Sequence, residues 1–322
     1  MKEIPNPTLA DYVHLIFTLF DLFAQQQAGN NGPKRGKPFT FAEKAMIVLF
    51  TLFQFRRIFH FKAQQRWLKA NPEMLPLLGF EQLPHRTTLS RRYKRLYGPL
   101  QEFVAFLGTY ASELDPPLSQ EQLVEDKSLF KALGPVWRQS DRKEGRIPAK
   151  LRHLDPDATW GKSAYQGWVY GYGLHLTCNA NAFPALVQVE TAAYDEGKVL
   201  DQKADYILHT IQPTSLAADN KYTKAMRIRR WAKQGVALLT PALKWVKGCY
   251  AQAYQRFIKE PDNVERLRRR RTSVEPLFDL IAKVLGTTGK HKQLPVQRQA
   301  NVQTCLALAT LSVQIAMIAN SI

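Results

Sequence analysis

Apolar residues recur at helical spacing from early in the chain. Tyr12, Leu15, Ile16, Leu19, Phe20 and Phe23 predict a helix over 8–24. The stretch 25–38 (QQQAGNNGPKRGKP) has no apolar period and is rich in glycine and proline, which predicts a mobile linker. Thr40 and Glu43 form a capping-box pair ahead of Met46, Ile47, Leu49 and Phe50, so a second helix is expected to start at Thr40. Helical pattern continues through 58–68 until Pro72, Pro76 and Gly79 break it. Over 84–100, with Thr87 or Thr88 as N-cap, Leu89, Tyr93, Leu96 and Tyr97 share one face. Arg86 lies at the start of this segment, and Arg91, Arg92, Lys94 and Arg95 fill the rest of the surface. One buried side and one guanidinium-bearing side is what a helix-turn-helix reader of DNA requires, although a solvated basic face has the same pattern.

Asp115-Pro116-Pro117 marks the expected boundary between a helical region, 1–114, and a second domain, 115–322. Beyond it, short strands alternate with helices. Strands are expected at 123–130, 168–178, 185–190, 214–219 and 236–240, the last ended by Pro241. Helices are expected at 197–210, 222–234, about 263–285 and about 298–319. That order predicts an α/β fold, a mixed sheet flanked by helices. Between the first two strands, 137–162 is charged and carries Pro148 and Pro156, which reads as a loop that orders on DNA. Trp160 within it is either a base-stacking residue or a loop anchor.

Charge narrows the partner. Of 322 residues, 45 are lysine or arginine and 27 aspartate or glutamate, a net charge of +18 that draws polyanions. The 45% hydrophobic content rules out a disordered chain. Cys178, Cys249 and Cys305 have no paired spacing, which argues against a zinc site or a disulfide framework. The apolar segment 302–319 is interrupted by Gln303, Thr304, Thr310, Ser312 and Gln314 and suits a packed helix better than a membrane span. No signal peptide is read at the N-terminus, so a soluble cytoplasmic, nucleoid-associated protein is expected.

Cutting a phosphodiester with divalent metal requires hard oxygen ligands, so acids set against this positive background are the informative residues. Asp126 lies mid-strand, where an acid is unusual, and Glu125 must point to the opposite face. Asp219 ends the apolar run 216–219 at a strand's carboxyl end, the side where sheet proteins place ligands; it could equally cap the following helix. Glu275 borders the stripe Val274, Leu277, Phe278, Ile281 and Leu285, and could equally be an exposed helix glutamate. His175 reads as a packed histidine, and Asp195 and Glu196 as caps of the helix that follows.

Three stretches together resemble the DDE transposases of bacterial insertion sequences, in the groups named after the fourth and fifth such elements. They are 124-VEDKSLFKA-132, then 167-GWVYGYGLHL-176 with 217-AADNKYTKA-225, then 271-RTSVEPLFDLIAK-283. Gly173 stands where the family's strand commonly has lysine, Arg268 where it has tyrosine, and Lys283 falls one position beyond its lysine. The resemblance implies a ribonuclease-H-like catalytic domain with Asp126, Asp219 and Glu275 as catalytic acids holding two Mg²⁺ ions, which Mn²⁺ can replace. It implies DNA contacts from Lys127, Lys221, Arg268, Arg269, Arg270, Arg271 and Lys283. The implied activity is binding of terminal inverted repeats, cleavage of transposon ends and joining of the 3′-hydroxyl to target DNA, by a homodimer on double-stranded DNA. Two other readings share the fold: a catalytically silent DNA-binding repressor, and a metal-dependent nuclease without strand transfer.

Overall fold

The computed structural model describes residues 8–28, 39–241, 248–288 and 292–321. Six helices come first: α1 (Leu9–Ala28), α2 (Glu43–Phe55), α3 (Phe61–Ala70), the single turn α4 (Met74–Leu77), α5 (Arg86–Tyr93) and α6 (Tyr97–Leu114). Gln25 to Ala28 finish α1, so the helix reaches into the expected linker, and 29–38 lie outside the described residues. The cap of α2 falls two residues later than expected, at Ala42 rather than Thr40. The predicted 84–100 helix is two helices. His85, not a threonine, caps α5 by accepting from the Thr87 backbone N–H, and the chain turns at Lys94–Leu96 before α6 begins. Leu89, Tyr93, Leu96 and Tyr97 still pack into one core across that break.

The second part carries β1 (Gln122–Lys131), α7 (Gln139–Lys143), β2 (Thr159–Ser163), β3 (Gly167–Asn179), β4 (Pro184–Thr191), α8 (Glu196–Tyr206), β5 (Ser215–Ala217), α9 (Ala225–Lys233), β6 (Ala237–Leu239), α10 (Cys249–Phe257), α11 (Pro261–Val284) and α12 (Gln299–Ser321). Strand β1 pairs antiparallel with β3 and parallel with β5, which pairs parallel with β6. On its other edge β3 pairs antiparallel with β4 and, nearer its start, with β2. This is the expected ribonuclease-H-like order, a three-strand meander followed by parallel strands. Elements absent from the sequence reading include the turn α4, α7 and β2 in or overlapping the charged stretch 137–162, and α10. Polar residues dominate β2 because it is an edge strand with half its side chains near solvent.

Alternation along β1 divides the sheet's contents. Val124 and Phe130 face the core shared with α11 and α12, whereas Leu123 faces the core built from α8, β5, α9 and β6. Helix α12 is long and apolar enough to cross a membrane by length and composition, but most of it is buried in the protein, packed against α6, α2 and β4. Its polar interruptions are hydrogen-bonded inside: Gln314 donates to the carbonyls of Val104 and Pro184, and Thr304 to that of Tyr93. The same apolar core includes α1, α2 and α6, so packing continues across the 114–115 junction.

Candidate active site

Asp126 and Asp219 are brought together by strand register. Parallel pairing sets Val124 beside Ala217, and two residues beyond each the aspartates are near enough for the charge of Asp219 to act on Asp126. Asp219 leaves the strand and accepts from the Lys221 backbone N–H at 2.8 Å, capping a single turn, Asn220–Tyr222, rather than the longer helix expected from 222. Asp126 accepts from the Lys127 backbone N–H at 2.8 Å with one oxygen. Its other oxygen takes the Arg270 guanidinium at 2.7 Å. Burial pushes the Asp126 carboxyl up to about 6; Arg270 pulls it back, and Asp219 and Glu196 push it further up.

A third carboxylate, Glu196, which reads as a helix cap in the sequence, lies close by. Asp195 caps α8 by accepting from the Lys198 N–H at 2.8 Å. Glu196 is instead buried beside two lysines, 2.7 Å from Lys221 Nζ and 3.7 Å from Lys127 Nζ. Lys127 Nζ also donates to the carbonyls of Ala192 and Tyr194, so Lys127 is held rather than free. Burial lowers the Lys127 pKa, with Glu196 opposing it. At Lys221 burial also works against the charge, yet Glu196 outweighs it and the pKa rises. The only local signal was that Lys127 and Lys221 flank the two aspartates in sequence; their meeting on Glu196 depends on the fold.

Beneath the aspartates, on the opposite face of β1, Glu125 is fully buried against Lys203 of α8, 2.8 Å away, and accepts from Thr177. His175, paired with Lys127 across β1 and β3, is fully buried as expected of a packed residue. Burial, then the charges of Lys203, Lys127 and Lys221, pushes its pKa down to about 2, so the ring is neutral. The glycine at 173 has a local reason: a Cβ there would sit 2.6 Å from Lys127 Cε. The space a side chain would fill is crossed by the Lys127 stem, reaching over from the neighbouring strand.

Helix α11 delivers Arg270 but not Glu275. At 100° per residue Glu275 is offset about 140° round the helix from Arg270, and it is exposed on the opposite side of the Val274 stripe. Among the described residues no group of three acidic, histidine or cysteine side chains is close enough to hold a metal. The two aspartates supply hard oxygens suited to one divalent ion. The basic run divides as well. Arg270 is spent on Asp126, Arg269 pairs with Glu265 one turn away, and Arg268, Arg271 and Lys283 are exposed. Arg86 and Arg91 of α5, and Lys94 and Arg95 in the turn after it, are exposed, but Arg92 is buried, contrary to its expected place on the solvent face, because α5 ends one residue later and lies against the Phe39–Phe41 segment.

The mixed sheet thus carries two aspartates at its parallel strands, with Lys221 and Arg270 beside them. The family described as "Transposase DDE domain" matches residues 134–311, more than half of the chain, and the chain belongs to that family. The matched segment contains Asp219 and Glu275 and begins just after the strand that bears Asp126. A solved structure, "Crystal structure of a pre-cleavage Mos1 transpososome", aligns over 98% of this chain and 98% of that chain at 10% identity. Its TM-score of 0.20 is too low to support a structural argument. No curated protein matches the chain.

Proposed function

We propose that this protein is an insertion-sequence transposase of the fourth- or fifth-element type that binds terminal inverted repeats, cuts the transposon ends and joins the freed 3′-hydroxyl to target DNA. The observation that carries the reading is the placement of Asp126 and Asp219 just beyond the paired ends of β1 and β5, near Lys221 and Arg270. Asp126 and Asp219 would hold Mg²⁺ or Mn²⁺, which when bound supplies Lewis acidity and an activated water. Lys221, exposed and kept protonated by Glu196, is placed to take a scissile-strand phosphate. Arg270 would exchange Asp126 for a phosphate oxygen, since arginine grips either anion through the same planar fork.

Glu275 is the third acid in this reading. Pro276 immediately follows it inside α11 and deprives the carbonyl of Thr272 of its intrahelical donor, so the helix is weakest beside the residue that must turn inward. Residues 1–114 would supply end recognition through Arg86, Arg91, Lys94 and Arg95, and two copies would bring two ends together. The protein would act in the cytoplasm, on the nucleoid.

The test is incubation with Mg²⁺ and labelled transposon ends. Nicks with joined products support the proposal. Nicks alone would make the protein a nuclease, and end binding with neither would make it a DNA-binding protein on a transposase fold. Asp126→Asn should abolish cleavage while leaving end binding nearly unchanged; retained cleavage would remove Asp126 from the site.

A further inference from the structure

Away from the aspartates, α5 borders a cavity of about 280 Å³ lined by Phe39, Thr40, Thr88, Arg91, Arg92 and Arg95, near the lower size limit of small-ligand clefts. Three guanidinium groups surround it. Arg92 is 7% exposed, and its Nε and Nη2 are closed off from solvent with no hydrogen-bond partner among the described residues. The Phe39 ring lies over the same group, 3.9 Å from Cζ to the centroid, while being 59% exposed itself.

An arginine cannot shed its charge to escape such a position, so buried donors without partners are costly. Burial lowers the Arg92 pKa, the charge of Glu43 in α2 opposes this, and the charge of Arg95 adds to it. One nearby carboxylate does not balance three arginines. A ligand carrying more than one negative oxygen would offset the three guanidinium groups that line the cavity, and an aromatic wall exposed above it would accept a flat ring. We infer that this cavity is a nucleotide-phosphate site, in which Arg91, Arg92 and Arg95 together hold the phosphate and Phe39 stacks on the base. The inference rests on the reading that the helical region engages DNA, and it adds that the grip is made inside a cavity, by a buried arginine, as well as on the exposed face of α5.

A phosphate of this kind could belong to the DNA backbone or to a free nucleotide. Deoxyadenosine 5′-monophosphate and inorganic phosphate, titrated calorimetrically into the full chain, test the site; a fluorescein-labelled duplex followed by polarisation distinguishes the sources. The nucleotide should bind one to one. Arg92→Gln should weaken nucleotide and phosphate at least about tenfold. Phe39→Ala should weaken the nucleotide several-fold and leave phosphate unchanged. Because Phe39 is exposed, that second variant keeps the test open if Arg92→Gln does not fold. Displacement of the duplex by the nucleotide assigns the site to backbone phosphate, and nucleotide binding without displacement assigns it to a free nucleotide. Failure of both small probes to bind the wild-type chain, or binding that neither variant alters, overturns the inference. If the duplex binds wild type and variants alike while the small probes fail, DNA binding stands and the cavity does not take part.

Discussion

Lys203→Met would strip the counter-charge from a carboxylate with no access to water. Lys203 Nζ lies 2.8 and 3.1 Å from the two oxygens of Glu125, 3.3 Å from Thr177 Oγ1 and 3.4 Å from the His175 carbonyl. Methionine keeps most of the stem's volume, so the packing loss is small and the cost is that of an uncompensated buried anion. Breaking such a pair from one side costs about 3–5 kcal/mol. The double variant Glu125→Gln with Lys203→Met removes both charges and should recover most of that loss. The effect also has a pH sign. Burial raises the Glu125 pKa in the folded chain, and without Lys203 the rise is larger. Stability that depends on protonated Glu125 is present at low pH and lost as pH increases, so the single variant should be less impaired at pH 5.5 than at pH 8. Urea unfolding of the wild type, both single variants and the double variant measures the coupling directly. A Lys203→Met cost below about 1 kcal/mol, the range of exposed pairs, would refute the claim that this ion pair clamps β1 to α8 beneath the aspartates.

Two further expectations are independent of that pair. A Cβ at Gly171 would lie 2.0 Å from the Phe130 carbonyl oxygen and 2.9 Å from the Ala132 nitrogen, both backbone atoms, so Gly171→Ala should cost about 3 kcal/mol or more and lower the melting temperature sharply. With Asp126 near 6, protons compete with metal for its oxygens, so Mn²⁺ affinity should fall as pH drops below about 6. Arg270→Ala removes the charge that holds this pKa down and should move the inflection upward; an unmoved inflection in a Mn²⁺ titration would show that Arg270 does not act on Asp126.

Much of the site was legible along the chain. Asp126 was conspicuous as an acid inside a strand of Leu123, Val124, Leu129 and Phe130. Asp219 was conspicuous at the end of an apolar run, and Glu125 was correctly set on the opposite face by strand alternation. Legibility failed where neighbours rather than spacing decide. Arg92 reads as a solvent-facing arginine because helical periodicity continues past Tyr93, whereas the chain turns there and Phe39 covers the guanidinium. Glu196 reads as a helix cap because its sequence neighbours give no sign of the two lysines that meet it.

The sequence by itself determined most of the helices and strands, a mixed sheet flanked by helices and the sign of the protein's charge. Periodicity, capping and turn chemistry act over a few residues, so each is written where it operates. Tertiary structure alone decided that Arg270 meets Asp126 across 144 residues and that Lys203 meets Glu125 across 78. It alone left Glu275 on the outer side of its helix. Such meetings depend on how whole strands and helices register and rotate against one another, and shifting a strand by one residue or turning a helix by 100° exchanges every side chain presented.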